Sequence, residues 1–98
     1  MNKLYVLVRE DLSPAQQAVQ AGHALAEYLL RGPEHTWDNG TLVYLGVSNE
    51  EKLKLWKYKL ESREVPFVVF KEPDLNNEIT ALASIPTNPK VFKQLKLA

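Results

Sequence analysis

The chain reads as one small α/β domain built on a mixed sheet, and three observations predict it. At 98 residues it has room for one compact core and not for two. Apolar runs of strand length alternate with longer segments that carry helix caps and helical periodicity. Cysteine is absent, so neither a disulfide framework nor a thiolate metal site holds the fold, and packing must.

The first run, Leu4-Tyr5-Val6-Leu7-Val8, is continuous and rich in β-formers, the pattern of a central strand covered on both faces. It is too short for a signal segment and leads into Arg9-Glu10-Asp11 with no small-residue cleavage site. No stretch of the chain is apolar enough to span a bilayer, and a cytoplasmic protein without membrane contact is expected. Ser13, Pro14 and Gln16 then supply an N-cap, a proline at the first helical position and a capping-box glutamine. The helix they open runs to Leu30 or Arg31, where Gly32-Pro33 predicts a left-handed stop. Helical spacing places Ala15, Ala18, Val19, Gly22, Leu25, Ala26 and Leu29 on one side, expected to pack on the sheet. Gln16, Gln20, His23 and Glu27 form a polar stripe on the other.

A surface loop over Glu34 to Gly40 precedes the second strand, Thr41 to Val47. Ser48-Asn49-Glu50-Glu51 reads as another capping box, opening a helix to about Arg63 with Leu53, Trp56, Tyr58 and Leu60 inward. Val65 to Phe70 is the third strand, with Pro66 tolerated at its entrance. A polar turn over Glu72 to Asn77 leads to a fourth strand, Ile79 to Ile85, and Asn88-Pro89 caps a short last helix carrying Val91, Phe92 and Leu95. The order is β-α-β-α-β-β-α. Helical crossovers predict parallel pairing among the first three strands, and the short last connection predicts an antiparallel edge. The expected result is a four-stranded mixed sheet with helices on both faces.

Twelve cations balance twelve carboxylates, so no general attraction to nucleic acid is expected. The distribution is uneven. Residues 1 to 51 hold three basic side chains against seven acidic ones, whereas residues 52 to 98 hold nine against five. Such asymmetry permits a local phosphate-binding face, although solvated helices carry similar lysines.

In open α/β sheets the crevice beyond the carboxyl ends of parallel strands is the usual place for chemistry. Two polar clusters map there, Arg9-Glu10-Asp11 after the first strand and Lys71-Glu72-Pro73-Asp74 after the third. No nucleotide-binding glycine loop, nucleophile elbow or metalloprotease motif competes with them. Ser13 and Ser48 read as helix caps, not nucleophiles. His23 is the residue suited to acid or base work near neutral pH, and no metal site or cofactor is predicted.

Read together, Val6-Leu7-Val8-Arg9-Glu10-Asp11-Leu12 and Ala18-Val19-Gln20-Ala21-Gly22-His23-Ala24 resemble the opening of a type II peptidyl-tRNA hydrolase. That resemblance implies cleavage of the ester joining a peptide to tRNA, without an obligatory cofactor. It further implies Gln20 and His23 as pocket residues, Glu72 or Asp74 as the acidic partner, and Arg9, Gln16 and Lys71 as contacts to tRNA. Peptidyl-tRNA or tRNA would be the ligand, and a homodimer the assembly. The family's helix lysine has no counterpart in Pro14-Ala15-Gln16-Gln17, and its Asp-x-Gly-x-Thr-Gln motif has none in Glu72 to Glu78. A binding or regulatory protein on the same scaffold is therefore the alternative.

Overall fold

The computed structural model describes residues 3 to 97. Four strands of six or seven residues and a fifth of two residues form one mixed sheet. They are β1 (Lys3–Arg9), β2 (Thr41–Val47), β3 (Phe67–Glu72), β4 (Glu78–Ser84) and β5 (Lys96–Leu97), in spatial order β3-β4-β1-β2-β5. Two helices, α1 (Pro14–Arg31) and α2 (Glu50–Ser62), cover its opposite faces. Among the described residues no helix is long and apolar enough to cross a membrane.

Parallel pairing joins β1 and β2, residue for residue from Lys3↔Thr41 to Arg9↔Val47. The third strand runs the same way but does not pair with either, because β4 lies between it and β1, antiparallel to both. The expected antiparallel edge is thus an inner strand. Its composition explains the change: Thr80, Ala81, Leu82, Ala83 and Ser84 are all fully buried, and small residues of that kind fit where both faces are covered. The edge falls to β3, whose side chains are only partly buried.

Alternation along β1 divides the core. Leu4, Val6 and Val8 pack with Ala21, Ala24 and Tyr28 under α1. Tyr5 and Leu7 pack with Leu45, Leu53, Trp56 and Leu60 under α2. Each cluster is continuous, the arrangement expected of a two-faced sheet.

Helix α1 begins as its caps dictate, with the Ser13 hydroxyl accepting from the Gln16 amide at 3.2 Å and Pro14 at the first position. The reciprocal half of the capping box is not made, because the Gln16 side chain instead accepts from Gln20. The helix is also rotated from its expected setting. Gln20, Ala21, Ala24 and Tyr28 face the sheet, while Ala15, Ala18, Ala26 and Leu29 are exposed, with Val19 at 49% and Leu30 at 74%. A buried glutamine on the inner face turned the apolar stripe outward. Gly32 ends the helix in extended conformation (φ −79°, ψ −173°), not left-handed. Glycine is needed there for space, since a Cβ would collide with the Tyr28 carbonyl.

In α2 the N-cap is Asn49, not Ser48: its side chain accepts from the Lys52 amide at 3.0 Å. Leu53, Trp56 and Leu60 are buried at helical spacing, whereas Tyr58 stands 72% exposed on the opposite side. The helix closes through Glu64, which adopts φ 57°, with Glu64 N–H on Glu61 and Val65 N–H on Leu60. Those two bonds are the Schellman pattern, which normally places glycine at the left-handed position. The closure delays β3, which starts at Phe67 instead of Val65. At the C-terminal end the expected α-helix is a 3-10 turn over Pro89–Phe92, capped by Asn88, followed by β5. Phe92 pins this segment down against Tyr5 and Trp56, at ring separations of 5.0 and 5.5 Å.

Candidate functional site

The chemistry-bearing side chains gather at the end of the sheet where β1 and β3 finish and β4 begins. The cause is a register fault. Phe70 pairs with Ala81 but Lys71 pairs with Ile79, so Thr80 is an extra residue with no partner on β3. A bulge of this kind re-aims a side chain that plain alternation would send elsewhere. Ile79 joins the α2 cluster with Leu82, and Ala81 joins the α1 cluster. Thr80 between them meets α1.

Its hydroxyl donates to Gln20 Oε1 at 2.6 Å. Gln20 Nε2 in turn donates to Glu72 Oε1 at 2.9 Å and, more weakly, to Gln16 Oε1 at 3.4 Å. Gln20 and Thr80 are fully buried, and Glu72 is partly exposed. A buried amide is stable only when its donors and acceptor are used, which explains why a glutamine occupies the inner face of α1. The chain Thr80-Gln20-Glu72 therefore holds one carboxylate in a fixed orientation with an open side toward solvent.

The pairing of β4 with β1 ends at Val8↔Ala81, so Ile79 lies beyond that ladder, and side chains from two other elements capture its backbone. The Ile79 amide donates to Glu50 Oε2 on α2 at 2.9 Å. Its carbonyl accepts from Arg9 Nη1 at 3.2 Å. Arg9 is itself held by a two-bond fork to Asp11, at 2.9 Å each, and by Glu78 at 2.8 Å. The guanidinium is buried, yet the bonds to Asp11 and Glu78 keep it firmly protonated against the cost of burial. The same fork lowers the Asp11 carboxyl below its ordinary value.

Of the residues that sequence singled out, Gln20, Glu72 and Gln16 come together directly. His23, one turn farther along α1, is exposed and stacks flat on Phe70, with ring centroids 4.4 Å apart and planes at 6°. It thus stands over β3 two residues before Glu72. Arg9 belongs to a separate cluster and spends its donors on Asp11, Glu78 and Ile79. Lys71 and Asp74 are exposed, on the edge strand and in the following 3-10 turn. Thr80, Glu78 and Glu50 were not singled out for this role. Nothing in Glu78-Ile79-Thr80-Ala81 marks a bulge, because β4 keeps an apolar residue at every second position from Ile79 to Ala83. Among the described residues no group of three or more His, Cys, Asp or Glu side chains is placed to hold a metal ion.

No protein-family model matches the chain, and no curated protein matches it. Its fold is shared with the solved structure of Atu0240, a protein of unknown function from Agrobacterium tumefaciens strain C58. The two superpose with a TM-score of 0.71 over 99% of this chain and 97% of the other, at 15% identity. At that identity the likeness establishes the α/β architecture alone.

Proposed function

We propose that the protein is a peptidyl-tRNA hydrolase-like ester hydrolase with Glu72 as its general base. The observation that carries this reading is the buried Thr80-Gln20-Glu72 chain, which orients one half-exposed carboxylate from behind. Base and orienting partner in hydrogen-bond contact are the geometry general-base catalysis needs. Gln20 and His23 are also the residues through which the chain resembles the type II hydrolases.

On this reading water attacks the ester carbonyl carbon while Glu72 takes its proton. The tetrahedral oxyanion then collapses, the bond from carbon to the tRNA ribose oxygen breaks, and that oxygen receives a proton. His23, exposed beside Phe70, is the proton donor for the departing oxygen. Gln20 and Thr80 act as positioning residues, since their polar groups are spent on each other and on Glu72.

One observation favours the alternative, a protein that binds without cleaving. Arg9, the cation at the carboxyl end of β1, is closed off by Asp11, Glu78 and a backbone carbonyl, so it is not free to meet a phosphate or an oxyanion. Release of peptide from purified peptidyl-tRNA separates the two readings. Wild type is expected to release peptide, Glu72→Gln to lose about 10²-fold in kcat, and Thr80→Val about tenfold with KM unchanged. No release by folded wild type overturns the enzyme and leaves the binding protein.

A further inference from the structure

On the other face of the sheet, α2 and the segment from Asn88 to Leu95 enclose a groove whose walls are cationic. Three adjoining cavities make it up. The first, about 440 Å³, is lined by Arg63, Lys90 and Lys93 over Val65 and Thr87. The second, about 120 Å³, shares those three cations and adds Lys59 and Trp56. The third, about 130 Å³, continues past Trp56 and Leu95 to Lys52 and ends at Glu10, beside the carboxyl ends of β1 and β2.

Lys52, Trp56, Lys59 and Arg63 follow one another at spacings of four, three and four, so they form a single stripe along α2. From Lys52 to Arg63 the stripe is about 16 Å long. Lys90 and Lys93 face it from the opposite wall. The wall is held in place by Phe92, which is buried between Tyr5 and Trp56. Lys59 lies over the Trp56 ring at 4.5 Å.

Pairing separates these cations from the rest of the helix. Lys54 and Lys57, on other sides of α2, sit near Glu50 and Glu61. Among the described residues, Lys52, Arg63, Lys90 and Lys93 make no ion pair and no carboxylate lines the first two cavities. In a chain whose charges sum to zero, five cations on one groove repel one another unless an anion lies between them. Trp56 is buried and covered by Lys59, so the groove offers charge and no free ring for stacking a base. What fits is a run of phosphates spaced along a line.

We infer that this groove binds the phosphodiester backbone of a single nucleic-acid strand, with Arg63, Lys90 and Lys93 as its principal contacts. It lies on the opposite face of the sheet from Glu72 and Gln20. Its Glu10 mouth opens at the same end as they do, so a strand held here would leave one end near the candidate site. The inference extends the hydrolase reading to the shape of its nucleic-acid ligand, and rests on its own residues.

The test is fluorescence anisotropy of a labelled 12-nucleotide single-stranded RNA of mixed sequence, titrated with the full chain between 50 and 200 mM salt. Five contacts predict a slope of log K against log salt of about −3.5, at about 0.7 per phosphate neutralised on a single strand. The triple variant Arg63→Gln, Lys90→Gln, Lys93→Gln is expected to bind at least tenfold more weakly, with the slope reduced by about 2. Lys54→Gln with Lys57→Gln serves as the control and is expected to bind like wild type. If the triple variant does not fold, Lys93→Glu alone decides, with a loss of threefold or more supporting the groove. No RNA binding by wild type at 50 mM salt overturns the inference. So does binding that the triple variant leaves unchanged, or equal competition by an oligoglutamate peptide of the same charge. Hydrolysis without strand binding sinks the groove and spares the enzyme; strand binding without hydrolysis does the reverse.

Discussion

Arginine is used in opposite ways at the two ends of the sheet. Where β1 ends, Arg9 is buried and four of the five N–H donors of its guanidinium meet acceptors on Asp11, Glu78 and the Ile79 carbonyl. Where β3 begins, Arg63 stands exposed with Lys90 and Lys93 around a cavity that no carboxylate of the described residues lines. A cation saturated by its own chain holds structure together. One left unsaturated beside others of its sign is available to a ligand. Position relative to the crevice, the criterion that sequence offers, points to Arg9; saturation points to Arg63.

Stability measurements give the sharpest separation of the two ends. Arg9→Ala leaves Glu78 and Asp11 facing an empty site and the Ile79 carbonyl without its donor, so a loss of about 3 kcal/mol is expected in urea unfolding at pH 7. Lys93→Ala, at an exposed position, is expected to stay within about 0.5 kcal/mol. Comparable losses at both positions would erase the distinction between a structural and an available cation.

Acid titration probes the closed end alone. The Asp11 carboxyl is lowered from its ordinary value of 3.8 by its fork to Arg9. A group depressed in the folded state contributes stability that is complete above its unfolded value and is lost as pH falls through the folded one. Wild type should therefore lose more stability than Asp11→Asn as pH drops below about 4, whereas Lys90→Gln should follow the wild-type curve. Parallel curves for wild type and Asp11→Asn would remove the fork from the acid limb.

The smallest effect concerns the turn that leads into the open end. Glu64 occupies a left-handed position at φ 57°, and Glu64→Gly is expected to add about 1 kcal/mol by relieving it. Because Glu64 lines none of the three cavities of the groove, RNA affinity is expected not to fall. A drop in thermal midpoint would show that the Glu64 side chain contributes something that its backbone angle conceals.

Much of the fold was legible because it follows from local pattern. The β1 and β2 runs, the Ser13-Pro14 start of α1 and the Leu53-Trp56-Leu60 stripe all declare themselves by composition and spacing. The rotation of α1 did not, since a period of 3.6 identifies two faces and only polarity chooses between them. Gln20 is polar by sequence and buried in fact, compensated by Glu72 at the end of β3 and Thr80 on β4, 52 and 60 residues later in the chain. The order of β3 and β4 escaped for a similar reason: strand length and β-propensity mark both, and long-range pairing decides which one is inside. At the candidate site Gln20, His23 and Glu72 were legible as residue types, while Thr80 was not, because a bulge is a relation between strands.

That bulge also bears on what the sheet declines to join. β3 is an edge strand reading Phe67-Val68-Val69-Phe70, the kind of apolar edge that invites a neighbouring molecule to add a strand. Pro66 withholds an amide at its start, Lys71 stands exposed near its end, and the extra residue on β4 twists the pair away from flatness. At the far side of the sheet β5 is two residues long, too short to template a partner. Removing Thr80 would shorten β4 to a regular ladder and straighten the edge beside it. The same residue that orients Gln20 thereby helps keep the molecule from stacking edge to edge with its own copies.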